Sequence, residues 1–342
     1  MSRPTQTDVA KHAGVSRATV SYVLNDKTDK LSSIPAETQQ RVLDAIEELG
    51  YEPDAQAQAL RSGSTKTIAL LIPDLQNPHF CEFATGVEKA ARAAGYQMLL
   101  SSTTLSNEHA LEAFKDLARR RVDGLIVASA FLLDDKEAQD TLDRILKRNL
   151  PIVDMGDFYE IDSASSNYSR ATEEVISYLL SLGHQRIGLV YGVAAREHGL
   201  DRLEAYWDSL AAAEIAPDPN LVAECGPTIK DGYQGTKQLL ELPNRPTAII
   251  VINDLLAIGA LRAAADLGIR VPDELSIVGY DDISMANYLV PRLTTVTKNA
   301  FGGGQKAFEL LITRIQNPKL PRRVIEDSPK LIVRESTGPA PF

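Results

Sequence analysis

Residues 8–25 read DVAKHAGVSRATVSYVLN, and this stretch predicts two short helices around a tight turn. Thr5 and Asp8 have the spacing of a capping box, in which two side chains satisfy backbone N–H groups at the start of a helix. Gly14 follows the apolar positions of the first helix, where a glycine readily adopts the left-handed conformation that ends a helix. Ser16 is the expected N-cap of the second helix.

The second helix has two distinct faces. Its predicted buried face consists of Val20, Val23 and Leu24. Its other face carries Arg17, Ala18, Ser21 and Tyr22. A helix-turn-helix presents the N-terminal residues of its second helix to base edges in the major groove of DNA. The alternative is an ordinary helical hairpin in which Arg17 is a solvated charge, and this stretch alone leaves both interpretations open.

Length and composition restrict the class of protein. A chain of 342 residues, 44% hydrophobic and 24% charged, is typical of a globular protein with two or three domains. Two cysteines cannot form a disulfide scaffold, which favours a reducing compartment. The sequence has no signal peptide and no apolar run near the roughly 20 residues that span a bilayer, so we predict a cytoplasmic protein with no membrane partner. The net charge of −10 argues against a general polyanion binder, so DNA binding would need a specific site and two copies of the headpiece.

A third predicted helix follows a polar loop and completes a headpiece over residues 1–50. It begins near Pro35 and ends at Gly50. Residues 51–64 form a hinge or linker with a short alanine-rich helix that has little to bury. It is either a fraying linker or a hinge that folds only against DNA and a second copy, with Leu60 wedged into the minor groove.

Several motifs together resemble the lactose/galactose-repressor (LacI/GalR) family of bacterial transcription regulators. Residues 8–25 are followed by RVLDAIEELGYEPDAQAQALRSGSTKTIALLIPD (41–74), GHQRIGLVYG (183–192), NDLLAIGAL (253–261), VPDELSIVGYDD (271–282) and PRLTTV (291–296). The resemblance covers nearly the whole chain. Asp54 stands where the family usually has asparagine and Gln58 where arginine is common, which predicts weaker binding of the hinge to phosphate.

We predict a set of DNA contacts from the helix-turn-helix and this resemblance. Arg17 is expected to bind guanine in a bidentate manner, Ala18 to meet a thymine methyl group, and Tyr22 to reach a base or a phosphate. The predicted set is Thr5, Ser16, Arg17, Ala18, Thr19, Ser21, Tyr22, Asn25, Ala57 and Leu60.

From residue 65 onward, apolar strands alternate with helices, which predicts parallel sheets covered on both faces. The fold class is therefore an all-α helix-turn-helix headpiece plus an α/β core, 65–342. The resemblance implies that this core is like a periplasmic binding protein, with two doubly wound subdomains around a ligand cleft. Family analogy gives an N-subdomain of about 65–162 plus 294–323 and a C-subdomain of about 163–293 plus 324–342.

Open α/β sheets bind ligands beyond the carboxyl ends of their strands. Strand ends and the resemblance together nominate effector-binding residues, which are Asp74, His79, Phe80, Ser129, Asp157, Arg196, Arg202, Asn253 and Asp281. Asp, Asn and Arg side chains with an aromatic ring suit a polyhydroxylated ligand. Before the helix that follows Asn253, we expect Asn253 to bind ligand and Asp254 to act as the N-cap.

The ligand itself stays open among a pentose, a hexose, a nucleoside and a phosphorylated sugar. Pro227 and Thr228 stand where several family members have an aromatic ring, which argues against a purine or another flat ligand. Trp207 lies one turn into a helix and is expected to pack in the core.

An enzyme is the less favoured class. Asp157 and Asp281 could serve as acid and base, but the sequence has no nucleophile elbow, P-loop or zinc motif. The triplet 302–304, GGG, lacks a following Lys-Ser/Thr and lies in a predicted helix. We therefore predict no catalytic residue, no metal and no cofactor. The predicted function is a sugar-responsive repressor that binds a pseudo-palindromic operator as a homodimer, and the alternative is a sugar receptor without a role in gene regulation.

Overall fold

The computed structural model describes residues 4–24, 34–52, 63–128, 136–156, 160–192 and 199–341. The chain divides into two compact units, residues 1–65 and residues 66–342. Within the described ranges, no helix is both long and apolar enough to cross a membrane.

The first unit is a small helical bundle of α1 (Gln6–Ala13), α2 (Arg17–Leu24) and α3 (Ala36–Leu49). The Thr5 and Asp8 side chains form the predicted capping box, and Gly14 ends α1 with φ of 63°. Ser16 Oγ accepts a hydrogen bond from Thr19 N at 3.1 Å, which caps α2 as expected. The core of the bundle is built on Val9, Val20 and Val42, all fully buried. The local signals of the sequence therefore predict the helix-turn-helix correctly.

The second unit contains two parallel sheets flanked by helices. Its elements in chain order are β1 (Thr67–Ile72), α4 (Pro78–Ala93), β2 (Gln97–Ser102), α5 (Asn107–Arg119), β3 (Gly124–Val127), α6 (Lys136–Lys147), β4 (Ile152–Asp154), β5 (Asp162–Ser166), α7 (Tyr168–Ser181), β6 (Ile187–Gly192), α8 (Leu200–Ala212), β7 (Val222–Cys225), α9 (Ile229–Leu240), β8 (Ala248–Val251), α10 (Asp254–Asp266), β9 (Ser276–Asp281), β10 (Thr294–Thr297), α11 (Ala300–Gln316), β11 (Val324–Asp327) and β12 (Lys330–Ile332). One 6-stranded sheet has the order β11-β5-β4-β3-β1-β2, and the other has the order β12-β10-β9-β8-β6-β7.

The chain crosses between the two subdomains a few residues later than expected. Strand β5 pairs with β11 in parallel, with Ser163 opposite Val324, so both segments belong to the first sheet. Strand β10 pairs with β9 and therefore belongs to the second sheet. The expected crossovers near Ser163, Leu293 and Val324 are thus displaced to the ends of β5, β10 and β11. The apolar pattern marks these strands, but only their backbone pairing reveals which sheet they join.

Two glycines allow helices α4 and α11 of the first subdomain to pack closely. A Cβ atom on Gly86 would lie 2.1 Å from the Phe301 carbonyl oxygen, and one on Gly304 would lie 2.2 Å from the Phe83 carbonyl oxygen. The glycine triplet that includes Gly304 is therefore a packing surface. In the second subdomain, Trp207 packs against the hydrophobic core with its ring at an angle to that of Tyr206, as its helical position predicts.

Candidate functional site

A cavity of about 230 Å³ lies at the carboxyl ends of the strands and is lined by residues of both subdomains. Asp74 follows β1, Asn253 follows β8, and Asp281 is the last residue of β9. The predicted effector residues that line the cavity are Asp74, His79, Phe80, Arg202, Asn253 and Asp281. Ser129, Asp157 and Arg196 lie outside the described residues. The strand-end rule therefore brings residues that are distant in the sequence to one cleft.

Asp281 and Lys298 form an ion pair inside the cavity. The Lys298 ammonium lies 2.6 Å from Asp281 Oδ1, and their side chains are 13% and 4% exposed. Burial alone would lower the pKa of Lys298, but Asp281 and Tyr168 outweigh burial and raise the pKa above its usual value. Lys298 therefore carries a positive charge inside the cavity, close to the carboxylate that was expected to bind the effector.

A tyrosine ring contacts two cations in the same cavity. The Arg202 guanidinium lies 4.5 Å from the centroid of the Tyr168 ring, and the Lys298 ammonium lies 4.7 Å from it. The face of an aromatic ring is electronegative and attracts cations at such distances. Tyr168 thus stabilises both positive charges inside the cavity.

Asp281 reaches the cavity from a turn with an uncommon backbone. Asp281 and Asp282 have φ values of 111° and 54°, a region that residues other than glycine rarely occupy. Asp254 stabilises the turn through two hydrogen bonds. Its Oδ2 accepts one from Ile283 N at 2.9 Å, and its Oδ1 accepts one from Thr295 Oγ1 at 2.6 Å. Burial, assisted by the nearby Asp281 carboxylate, raises the pKa of Asp254 well above its usual value. Asp254 is therefore a buried support for this turn.

The expectation that Asp254 is the N-cap of α10 is wrong. Asn253 is the N-cap of α10, because its Oδ1 accepts a hydrogen bond from Leu256 N at 2.8 Å and its backbone is extended. Asp254 is the first residue inside the helix and is fully buried. An N-cap residue needs a non-helical backbone, which only Asn253 has here. Asn253 also lines the cavity, so its side chain combines the capping contact with a place in the cleft.

The first subdomain contributes the start of α4 to the cavity. Asn77 caps this helix by accepting a hydrogen bond from His79 N at 3.0 Å, and Asp74 accepts one from Gln76 N at 2.8 Å. The next side chains of the helix are His79 and Phe80, whose rings meet edge to face at 5.1 Å. His79 Nδ1 lies 3.9 Å from Asp281 Oδ1, so the two subdomains approach each other at this point.

His79 gives a testable pH dependence. Burial, the positive charge of Lys298 and, to a smaller extent, that of Arg202 lower the pKa of His79 from 6.5 to about 4, against the opposing effect of Asp281. Unfolded chains take up this proton near pH 6.5, so the stabilisation is complete above that pH and is lost as the pH falls toward about 4. The total is about 3 kcal/mol, from about 1.4 kcal/mol per pKa unit.

Denaturant unfolding of wild type and His79→Gln between pH 7 and 4 would measure this effect. The free energy of unfolding should fall more steeply with decreasing pH in wild type, because glutamine has no proton to gain. Parallel pH profiles for the two proteins would contradict the burial of a neutral His79.

The headpiece exposes the start of its second helix. Arg17 and Ala18 are exposed in the first turn of α2, and Arg17 Nε donates a hydrogen bond to Gln6 Oε1 at 3.4 Å. Thr19 Oγ1 lies 2.9 Å from Ser16 Oγ, and Ser21 and Tyr22 are half-buried. Thr5 and Ser16 are engaged in capping. Asn25, Ala57 and Leu60 lie outside the described residues, so their predicted DNA contacts stay predictions.

Each of the two structural units matches a known protein family. Residues 5–54 match the family described as bacterial regulatory proteins, lacI family, and residues 176–337 match the periplasmic binding protein-like domain. The HTH-type transcriptional repressor PurR of Proteus mirabilis is 36% identical over 345 aligned residues, which cover 98% of this chain and 97% of that protein. The chain belongs to the LacI family. A PurR repressor of Photobacterium profundum is 33% identical and covers 96% of this LacI-family chain and 97% of its own length.

Solved LacI-family structures share the fold. The Lac repressor dimer bound to operator and the anti-inducer ONPF superposes with a TM-score of 0.86 at 29% identity, covering 98% of this chain and 100% of that chain. A LacI-family regulator of Enterococcus faecium with bound ribose has a TM-score of 0.71 at 30% identity, covering 80% of this chain and 99% of that one. The predicted fold class is confirmed, and the chain is a ligand-responsive DNA-binding regulator rather than an enzyme.

Lys298 and Tyr168 of this LacI-family chain line the cavity but are not among the predicted effector residues. Lys298 directly follows β10, so the strand-end rule would have nominated it if β10 had been placed in the second sheet. Tyr168 lies in the first turn of α7 just after β5, where the crossover was misplaced. Both omissions follow from the same error in the assignment of strands to sheets.

Proposed function

We propose that this LacI-family protein is a repressor that binds a pseudo-palindromic operator as a homodimer under the control of a small sugar-like effector. The observation that carries the proposal is the cleft, where Arg202, Asn253 and Asp281 meet in a chain that also has a helix-turn-helix headpiece. A sugar receptor without a regulatory role would not need that headpiece. An effector that favours one arrangement of the two subdomains would change the affinity for operator. Because coupling between two sites is reciprocal, bound operator would change the affinity for effector by the same factor.

The polar groups of the cleft fit a polyhydroxylated effector. A carboxylate such as Asp281 accepts hydrogen bonds from vicinal hydroxyl groups, and the Arg202 guanidinium donates to hydroxyl or ring oxygens. Lys298 adds a donor beside Asp281. The ribose bound to the Enterococcus faecium relative supports a sugar as the class of effector. Ser129, Asp157 and Arg196 complete the proposed set.

Operator recognition is assigned to α2. We assign base contacts to Arg17, Ala18 and Tyr22. We assign contacts with the DNA sugar-phosphate backbone to Thr19 and Ser21. The start of α2 is exposed, as a helix that enters the major groove requires. The other proposed DNA contacts are Thr5, Ser16, Asn25, Ala57 and Leu60. Because protein two-fold symmetry imposes symmetry on the site, two headpieces would read two half-sites.

Arg17→Ala should weaken binding to the preferred operator by about 1–3 kcal/mol and relax selectivity at one base pair of each half-site. The operator is first obtained by selection from random DNA with the wild-type protein, and both proteins are then titrated at one salt concentration. Arg41→Ala is the matched control, because Arg41 is also exposed in the headpiece but lies on α3. Unchanged selectivity in Arg17→Ala would overturn the assignment of α2.

The proposed homodimer would cover an exposed apolar patch formed by Met285, Tyr288 and Val290. Tyr288 is 85% exposed and Val290 is 96% exposed, next to Met285 at 40%. Large exposed apolar patches mark interaction surfaces, and these three exposed side chains lie within six residues of one another. We assign a second copy of the chain as its occupant, by analogy with the Lac repressor dimer.

Tyr288→Asp should shift the wild-type dimer toward monomer in sedimentation velocity, because an aspartate in an apolar contact must be desolvated without a partner. Leu146→Asp is the control, since Leu146 is 37% exposed on α6 and lies outside the patch. An unchanged sedimentation coefficient for Tyr288→Asp would remove the patch from the dimer contact, and a monomeric wild type would reject the homodimer.

A further inference from the structure

Arg17 of the headpiece has a neutral hydrogen-bond partner on the neighbouring helix. Its Nε atom donates to Gln6 Oε1 at 3.4 Å, although the two residues are 11 positions apart in the sequence. Gln6 is half-buried, whereas Arg17 is exposed. Within residues 4–24 and 34–52, Arg17 forms no ion pair. The guanidinium is therefore held by an uncharged group and keeps its full positive charge.

Local hydrogen bonds fix the backbone on both sides of this contact. The capping box of Thr5 and Asp8 holds the start of α1, where Gln6 is the first helical residue. The Ser16 cap holds the start of α2, where Arg17 is the first helical residue. The two helices also share one hydrophobic core. The amide oxygen of Gln6 is thus presented beside Arg17 Nε by two fixed helix starts.

The contact with Gln6 leaves the terminal nitrogens of Arg17 available. A guanidinium donates from Nε and from both terminal nitrogens, Nη1 and Nη2. Guanine presents the acceptors O6 and N7 in the major groove, and two parallel donors match them. An arginine that is already held at Nε loses less side-chain freedom when its terminal nitrogens bind a base. An uncharged amide achieves this without the repulsion that a carboxylate would have for DNA phosphates.

We infer that Gln6 is a positioning residue for operator recognition, which orients the Arg17 guanidinium toward guanine through the hydrogen bond to Nε. Gln6 thereby increases selectivity at the base pair that Arg17 reads. The inference rests on the proposed reading of the operator by α2, because it adds a residue of α1 to the same recognition step. Gln6 was not among the predicted DNA contacts, since its role depends on a contact between two helices.

Two substitutions of Gln6 in the full-length protein test this, with operator selected by the wild type. Methionine has a similar length but only a weak acceptor, so Gln6→Met should lower discrimination at the base pair read by Arg17 by about 2- to 10-fold. Glutamate keeps an acceptor, so Gln6→Glu should retain this discrimination and weaken binding to every operator variant, because a carboxylate repels phosphate.

Gln40→Met is the matched control and should leave discrimination unchanged. Gln40 is an exposed glutamine on α3, where its Nε2 donates a hydrogen bond to Asp44 Oδ1 at 2.8 Å. Discrimination is measured as the ratio of affinities for the selected operator and for operators with a substitution at one base pair, all at one salt concentration.

A double-mutant cycle with Arg17→Ala completes the test. Gln6→Met should have no further effect on discrimination in the Arg17→Ala background, because the group that Gln6 orients is gone. Equal losses in both backgrounds, equal losses in Gln6→Met and Gln6→Glu, or unchanged discrimination in Gln6→Met would overturn the role of Gln6 and leave the assignment of α2 in place. Unchanged discrimination in Arg17→Ala would overturn that assignment and the role of Gln6 together.

Discussion

Asp281→Ala should bind operator as tightly as wild type and no longer respond to the effector. The Asp281 side chain is nearly buried and forms the anionic side of the cleft. Loss of a hydrogen bond to the ligand should weaken effector affinity by about 10- to 150-fold, since a hydrogen bond to a charged group contributes about 1.5–3 kcal/mol. The measurement is operator affinity against effector concentration, together with direct titration of the effector.

The same substitution should lower stability, because Lys298 loses its partner 2.6 Å away inside the cavity. Removing one member of a buried ion pair costs about 3–5 kcal/mol. Asp282→Ala is the matched control, since Asp282 also has a left-handed backbone but pairs with Arg334 and does not line the cavity. A normal effector response in Asp281→Ala would place the effector site elsewhere.

Gly304→Ala and Gly303→Ala should have opposite effects on stability. A Cβ atom on Gly304 would lie 2.2 Å from the Phe83 carbonyl oxygen and 2.9 Å from Val87 N, both of them backbone atoms of α4. Helices α4 and α11 would have to separate, at a cost of about 3 kcal/mol or more. A Cβ atom on Gly303 would meet only the Phe83 ring, at 3.9 Å, and alanine is the better helix former by about 1 kcal/mol.

Chemical denaturation of the two variants measures this difference. Separation of α4 from α11 would also displace His79 and Phe80 from the cavity, so Gly304→Ala should lose effector affinity as well. Equal stability of Gly303→Ala and Gly304→Ala would contradict the close helix packing. A loss of stability in Gly304→Ala alone would show that this glycine is needed for the contact between α4 and α11 and not for binding phosphate.

The headpiece could be predicted because its signals are local. The capping box of Thr5 and Asp8, the left-handed Gly14 and the Ser16 cap each depend on residues a few positions apart. The strand ends of the core could be predicted for the same reason, since an apolar run followed by Asp or Asn marks the carboxyl end of a strand.

The rest depends on contacts between distant residues. The pairing of β5 with β11 joins segments about half the chain apart. The spacing of apolar residues along the sequence does not indicate which strands pair. That pairing places Tyr168, which follows β5, in the cleft, and the pairing of β10 with β9 places Lys298 there. Asp254 was expected to be the N-cap, and its support of the Asp281 turn was missed because its partners, Ile283 and Thr295, lie 29 and 41 residues farther along the chain.

Selection of genomic DNA fragments by the purified full-length protein, with and without a panel of pentoses and hexoses, tests effector-controlled operator recognition most directly. We expect enrichment of one pseudo-palindrome with two half-sites, and a change in that enrichment with at least one member of the panel. Enrichment that no member of the panel alters would contradict control by a sugar-like effector. The absence of any enriched sequence under every condition would contradict the central claim that the chain is an effector-controlled reader of a specific operator.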